Sequence, residues 1–200
     1  VTRAAAIRAA LARPFVHGQH ADFRGLTLDE PLDLSGLALS GVDFTGTTFR
    51  APVRAAGARF DGLAWFSGAV FQDEAGFAGA QFVSDARFDD ARFDAAADFA
   101  GAEFRGIARF DRAALRGGAD FSSTVAYGNV SLDHARFDGP ADFRAGQYLG
   151  GLWCDTSAFL AGADFAGAEV HGRLWLRGAR AGNAALREAD FGLTFGYTFT

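Results

Sequence analysis

The chain has no methionine, no lysine, a single cysteine (Cys154) and only four prolines in 200 residues. One thiol cannot close an internal disulfide, so the fold owes nothing to oxidation and a cytoplasmic setting is expected over a secreted one. No apolar run approaches a membrane span, and Arg3, Arg8 and Arg13 interrupt the N-terminus where a signal peptide needs a continuous apolar stretch. All 19 basic residues are arginine, and against 24 acidic residues they leave a net charge of −5. That mild acidity argues against direct binding to nucleic acid and leaves basic partners open. The chain begins at Val1, which leaves a non-AUG start codon and a cut N-terminus as alternatives.

What the sequence has in excess is phenylalanine, 22 residues of it, set among small residues. From Ala86 to Phe110 the rings fall at Phe88, Phe93, Phe99, Phe104 and Phe110, with gaps of 5, 6, 5 and 6 and an alanine two places before each. The ladder runs from Phe23 to Phe191, with plain fives between Leu34 and Phe49 and a blurred step where either Ala126 or Tyr127 is the inward residue. Units this short cannot bury their own apolar side chains and must stack on neighbours. In extended backbone alternate residues share a side, so the alanine and the phenylalanine face the axis and the residue between them faces water.

Residues Thr2 to Arg13 are alanine-rich, place Ile7 and Leu11 four apart as one helical face would, and stop at Pro14. A helix here either covers the open edge of the first coil or serves as a binding arm. The expected division is a capping helix over 1–14, the repeat over 15–191 and an edge or dimerisation segment over 192–200.

Units such as Ala21-Asp22-Phe23-Arg24-Gly25, Ala97-Asp98-Phe99-Ala100-Gly101, Ala102-Glu103-Phe104-Arg105-Gly106 and Ala163-Asp164-Phe165-Ala166-Gly167 carry a resemblance to the pentapeptide-repeat family. The resemblance implies an all-β fold, a right-handed quadrilateral β-helix with one repeat per side. Sides of 5, 6, 5 and 6 give coils of 22 residues, and seven or eight coils stacked about 4.8 Å apart give a rod roughly 35 to 40 Å long.

A 22-residue coil turns surface residues into columns. One holds Asp98, Asp120, Asp142 and Asp164, with Glu103 and Glu169 one side further round. It is either an acidic interaction stripe or a structural row whose carboxylates accept turn N–H groups. A second column holds Trp65, Arg87, Arg109, Ser131, Trp153 and Trp175, flanked by Asp89, Asp111, Asp133 and Asp155. Exposed Trp and Arg are enriched in binding hot spots, which makes Trp65, Arg87, Arg109, Trp153 and Trp175 candidate partner-binding residues. The alternative is an aromatic ladder lying flat on neighbouring coils. Leu193, Phe195, Tyr197 and Phe199 alternate as a strand would, offering an edge for a homodimer. A chain cut short is the competing explanation.

No catalytic, cofactor or metal site is expected, because a rod with a filled core offers no concave, dry site. Cys154 falls at an inward position as a small filler, His17 and His20 lack a third ligand, and His134 and His171 stand apart on the surface. The expected function is therefore a rigid protein-binding module. The resemblance adds a second candidate, a DNA-mimic that binds DNA gyrase and gives antibiotic resistance, and a purely structural spacer is the third.

Overall fold

A computed structural model describes residues 2–200; Val1, the first residue of the expected capping segment, lies outside them. The repeat folds as a β-solenoid of about eight turns. Its short strands stack into parallel sheets of nine, nine, seven and eight strands among the described residues, the second including one antiparallel terminal strand. In one mid-rod coil the sides are Ala64–Trp65, Val70–Phe71, Ala75–Gly76 and Gln81–Phe82, taken below as the first to fourth sides. Each pairs with the strand one coil on: Val70 with Arg92 and Phe71 with Phe93, 22 residues later. The first coil is shorter, with His20 opposite Gly41, a step of 21. The run of plain fives in the sequence marks this shorter step.

The alternation of five and six encodes two kinds of corner. After a first-side or third-side strand the gap is five and the chain turns through a left-handed residue, usually glycine, as at Gly68 and Gly79. After a second-side or fourth-side strand the extra residue opens the corner into a bend. At the bends leading to the first side, Gly128, Gly150 and Gly172 are required by closeness, since a Cβ there would collide with the backbone of the coil before. Six left-handed corners lack glycine: Asp90, Arg112, Ser123, His134, Ala145 and Thr156.

The core is the inward ladder. Along the axis, rings from successive coils lie parallel, as in Phe66 on Phe88 at 4.9 Å and Phe99 on Phe121 at 4.9 Å. Across the axis they meet edge to face, as in Phe88 against Phe99 at 5.2 Å and 82°. Both are favoured aromatic geometries, and each buried ring contributes on the order of 1.5 to 3 kcal/mol. The blurred step is resolved by register: Ala126 is buried opposite Phe104 and Tyr148, while Tyr127 is exposed. Burial pushes the Cys154 thiol well above its ordinary range, as fits an inert filler.

The N-terminal helix spans Arg3–Leu11, with the Thr2 hydroxyl accepting the Ala5 N–H at 3.2 Å. It buries Ala4, Ile7 and Leu11, and the Leu11 carbonyl accepts the Ser40 N–H at 2.8 Å. The helix therefore sits on the solenoid as a cap.

At the other end the pattern breaks. After Arg180–Ala181 the chain reverses through Gly182 into an antiparallel strand, Ala184–Ala185, and a 3-10 turn, Glu188–Asp190. The last coil is consequently 24 residues, with Glu169 opposite Leu193 and Leu174 opposite Thr198. This corrects the expectation of one alternating edge strand. Leu193–Thr194 belongs to the fourth side and Thr198–Phe199 to the first, and Leu193, Phe195, Tyr197 and Phe199 all point outward. The alternation came from a corner at Phe195 to Tyr197, not from one strand.

Candidate binding face

The first side carries the tryptophans. Pairing of consecutive coils runs Asp43, Trp65, Arg87, Arg109, Ser131, Trp153 and Trp175 in one column, and the last coil adds Phe199. The three indoles are half-buried. The Arg87 guanidinium stands 4.9 Å from the Trp65 ring centre, and that of Arg177 stands 4.7 Å from Trp175. Trp153 and Trp175 meet edge to face at 6.5 Å, and Phe199 stacks on Trp175 at 4.3 Å. Trp153, Trp175 and Phe199 thus contact one another along the rod, while the indole nitrogens of Trp65 and Trp175 are buried. Ser131 departs from the outward reading. It is in register but buried, its hydroxyl donating to Asp111. Arg109 beside it is exposed.

The flanking carboxylates bind from coil to coil. Asp133 accepts the Asp155 N–H at 2.9 Å, and Asp155 accepts the Arg177 N–H at 3.0 Å. Asp155 also pairs with the Arg177 guanidinium, its Nε at 2.9 Å. Burial raises the Asp133 carboxyl above the usual carboxylate range, and the nearby Asp111 and Asp155 add to the effect. Asp133, Trp153, Asp155, Trp175 and Arg177 together line a cleft of about 200 Å³. Arg177 escaped the sequence reading although it continues the aspartate column by one coil; following that column past Asp155 would have found it.

The third side carries the acidic column in register, Asp98, Asp120, Asp142 and Asp164. Each aspartate accepts the backbone N–H two residues on, at 2.9, 2.8, 2.9 and 2.9 Å. Arg144 pairs with Asp142 and reaches Asp164 at 3.7 Å. Its hydrogen bond holds the Asp142 carboxyl below the ordinary range. On the fourth side Glu103 pairs with Arg105 at 2.7 Å and Glu169 with His171 at 3.2 Å. His171 also stacks on Phe195 at 4.5 Å, so it is not an isolated position. Among the described residues no group of His, Cys, Asp or Glu is arranged to hold a metal ion, and no helix is long and apolar enough to cross a membrane.

A family model described as "Pentapeptide repeats (9 copies)" matches residues 23–78, 55–103 and 99–147, together more than half of the chain. A comparison with curated proteins returns no match.

Proposed function

This chain belongs to the pentapeptide-repeat family, and on that premise we propose that it is a non-enzymatic, rigid module that binds a protein partner through its first side. The observation that carries this reading is the column of half-buried tryptophans with arginines stacked on two of them and carboxylates alongside. Half-buried rings already held in place lose little freedom on binding, and Trp and Arg dominate interface energetics. The cytoplasmic setting expected from the lone cysteine is part of the same reading. The test is affinity capture from cell extract with the intact rod and with a Trp153→Ser, Trp175→Ser double variant. A partner captured by the first and lost by the second, with the melting temperature shifted by only a few degrees, supports the reading. Equal capture by both sinks it and favours a spacer.

A second surface is proposed for self-association. Leu193, Phe195 and Tyr197 on the last coil are 54, 61 and 80% exposed, an apolar cluster that a second copy would cover. Light scattering should report a dimer that Tyr197→Glu converts to monomer; a monomeric intact chain overturns it. Imitation of a DNA duplex at gyrase is less favoured by the surface, because arginines such as Arg59, Arg92, Arg105 and Arg144 neutralise neighbouring carboxylates along the rod. A supercoiling assay with purified gyrase decides it: inhibition by the rod, lost when Asp98, Asp120, Asp142 and Asp164 become Lys, would restore the acidic mimic.

A further inference from the structure

The solenoid repeats its own geometry every coil, so a completed arrangement on one coil is a template for an incomplete one on the next. On the first side the completed arrangement is Trp175, Asp155 and Arg177. The guanidinium lies 4.7 Å from the indole centre and its Nε donates to the carboxylate at 2.9 Å. One coil earlier the same two partners recur: Trp153 stands in register with Trp175, and Asp133 stands 22 residues before Asp155, to whose N–H it is bonded. The residue in the place of Arg177 is Asp155 itself, whose carboxylate Arg177 already engages. Trp153 and Asp133 are thus the same pair without its arginine.

Nothing else on the described chain fills that place. Trp65 and Trp175 each carry a guanidinium over the ring, and among the described residues Trp153 carries none. The two places that supply one elsewhere are otherwise taken: the column residue one coil on, Arg87 for Trp65, is here Trp175, and the residue two places on, Arg177 for Trp175, is here Asp155. Asp133 has one oxygen on the Asp155 N–H and makes no ion pair among the described residues. The cleft of about 200 Å³ opens between these groups.

We infer that this cleft takes the guanidinium of an arginine supplied by a protein partner, laid on Trp153 and paired with Asp133. The inference rests on the first side being the partner-binding face, and adds the chemistry of what binds there. Arginine suits the place better than lysine, because a planar guanidinium can stack on the indole and donate two parallel bonds to one carboxylate. A cation there also relieves the cost of a half-buried carboxylate between Asp111 and Asp155.

The experiment follows the Trp153 indole N–H by NMR in the full chain while capped Gly-Arg-Gly peptide is added, with citrulline and lysine versions as controls. The arginine peptide should shift the Trp153 signal saturably and leave Trp65 unmoved, and the uncharged citrulline peptide should bind at least roughly tenfold more weakly. Asp133→Asn should weaken the arginine peptide by a similar factor. Asp155→Arg, which copies Arg177 one coil earlier, should block the cleft; if that variant does not fold, Asp133→Asn alone carries the test. No saturable shift at Trp153, equal binding of citrulline, or unchanged affinity in Asp133→Asn overturns the inference. If the Trp153→Ser, Trp175→Ser variant loses a captured partner while the peptide leaves Trp153 unmoved, the face stands and its arginine specificity falls. If the peptide binds as stated but capture is indifferent to the tryptophans, the partner's part in the inference falls.

Discussion

The rod carries two columns of four aspartates each at the same coil spacing, and they do different work. On the third side Asp98, Asp120, Asp142 and Asp164 stand one residue before the inward ring, and each bonds forward to its own chain two residues on. On the first side Asp89, Asp111, Asp133 and Asp155 stand one residue after the inward side chain. There Asp133 and Asp155 bond across to the coil 22 residues later. The first arrangement caps a turn within one repeat, as aspartate does in loops generally. The second ties coils together, which places the carboxylates beside the tryptophans and arginines of neighbouring coils. A two-residue shift in position converts a local structural device into part of a surface built by several coils.

The core beneath both columns should not distinguish them. Phe99→Ala under the third side and Phe110→Ala under the first should each cost roughly 3 to 5 kcal/mol in thermal or denaturant unfolding. An unchanged transition for either would refute the inward ladder on that side. The carboxylates should separate the two sides. Asp155→Ala removes the bond to the Arg177 N–H and its ion pair and should cost about 2 kcal/mol. Asp120→Ala removes one turn bond to Ser122 and should cost about 1 kcal/mol. Equal losses would erase the distinction. Thr156 tests the corner between the first and second sides. It is β-branched and left-handed at φ 59°, so Thr156→Gly should stabilise the rod by about 1 kcal/mol, read from the denaturation midpoint.

The smallest effect is in the pH dependence, where Asp142 and Asp133 should have opposite signs. The Asp142 carboxyl is lowered by Arg144, so its contribution is present above the unfolded carboxylate range and fades as pH falls through its depressed value. The Asp133 carboxyl is raised by burial, so the folded rod takes up that proton first and stability rises as pH falls through its elevated value. Melting temperatures from pH 3 to 7 should therefore lose part of their acid-side decline in Asp142→Asn. In Asp133→Asn the small gain on acidification should disappear.

The stacked architecture was legible because inward and outward positions alternate with strand geometry and the gaps count residues per coil. The phase of Trp65, Trp153 and Trp175 and the membership of both aspartate columns followed from counting alone. Counting failed where the side chain, not the backbone, chooses. Ser131 was assigned outward and is buried, because a short hydroxyl folds onto Asp111 where an arginine would reach out. Leu193 to Phe199 read as one strand because a corner between two sides can preserve alternation by accident. The reversal at Gly182 showed in the sequence only as a return to plain fives from Leu176 through Ala181 and Leu186 to Phe191, and Leu186 and Phe191 still reach buried positions beyond it.

By itself, then, the sequence determined the ladder, the 22-residue coil and the columns, all of them consequences of period and hydrophobic burial that any one repeat displays. Only the tertiary structure decided which neighbours complete one another. Arg177 lies on Trp175 and holds Asp155, while among the described residues Trp153 and Asp133 stand without an arginine. Those contacts join residues a whole coil apart through side-chain reach and rotamer, and no local pattern specifies either.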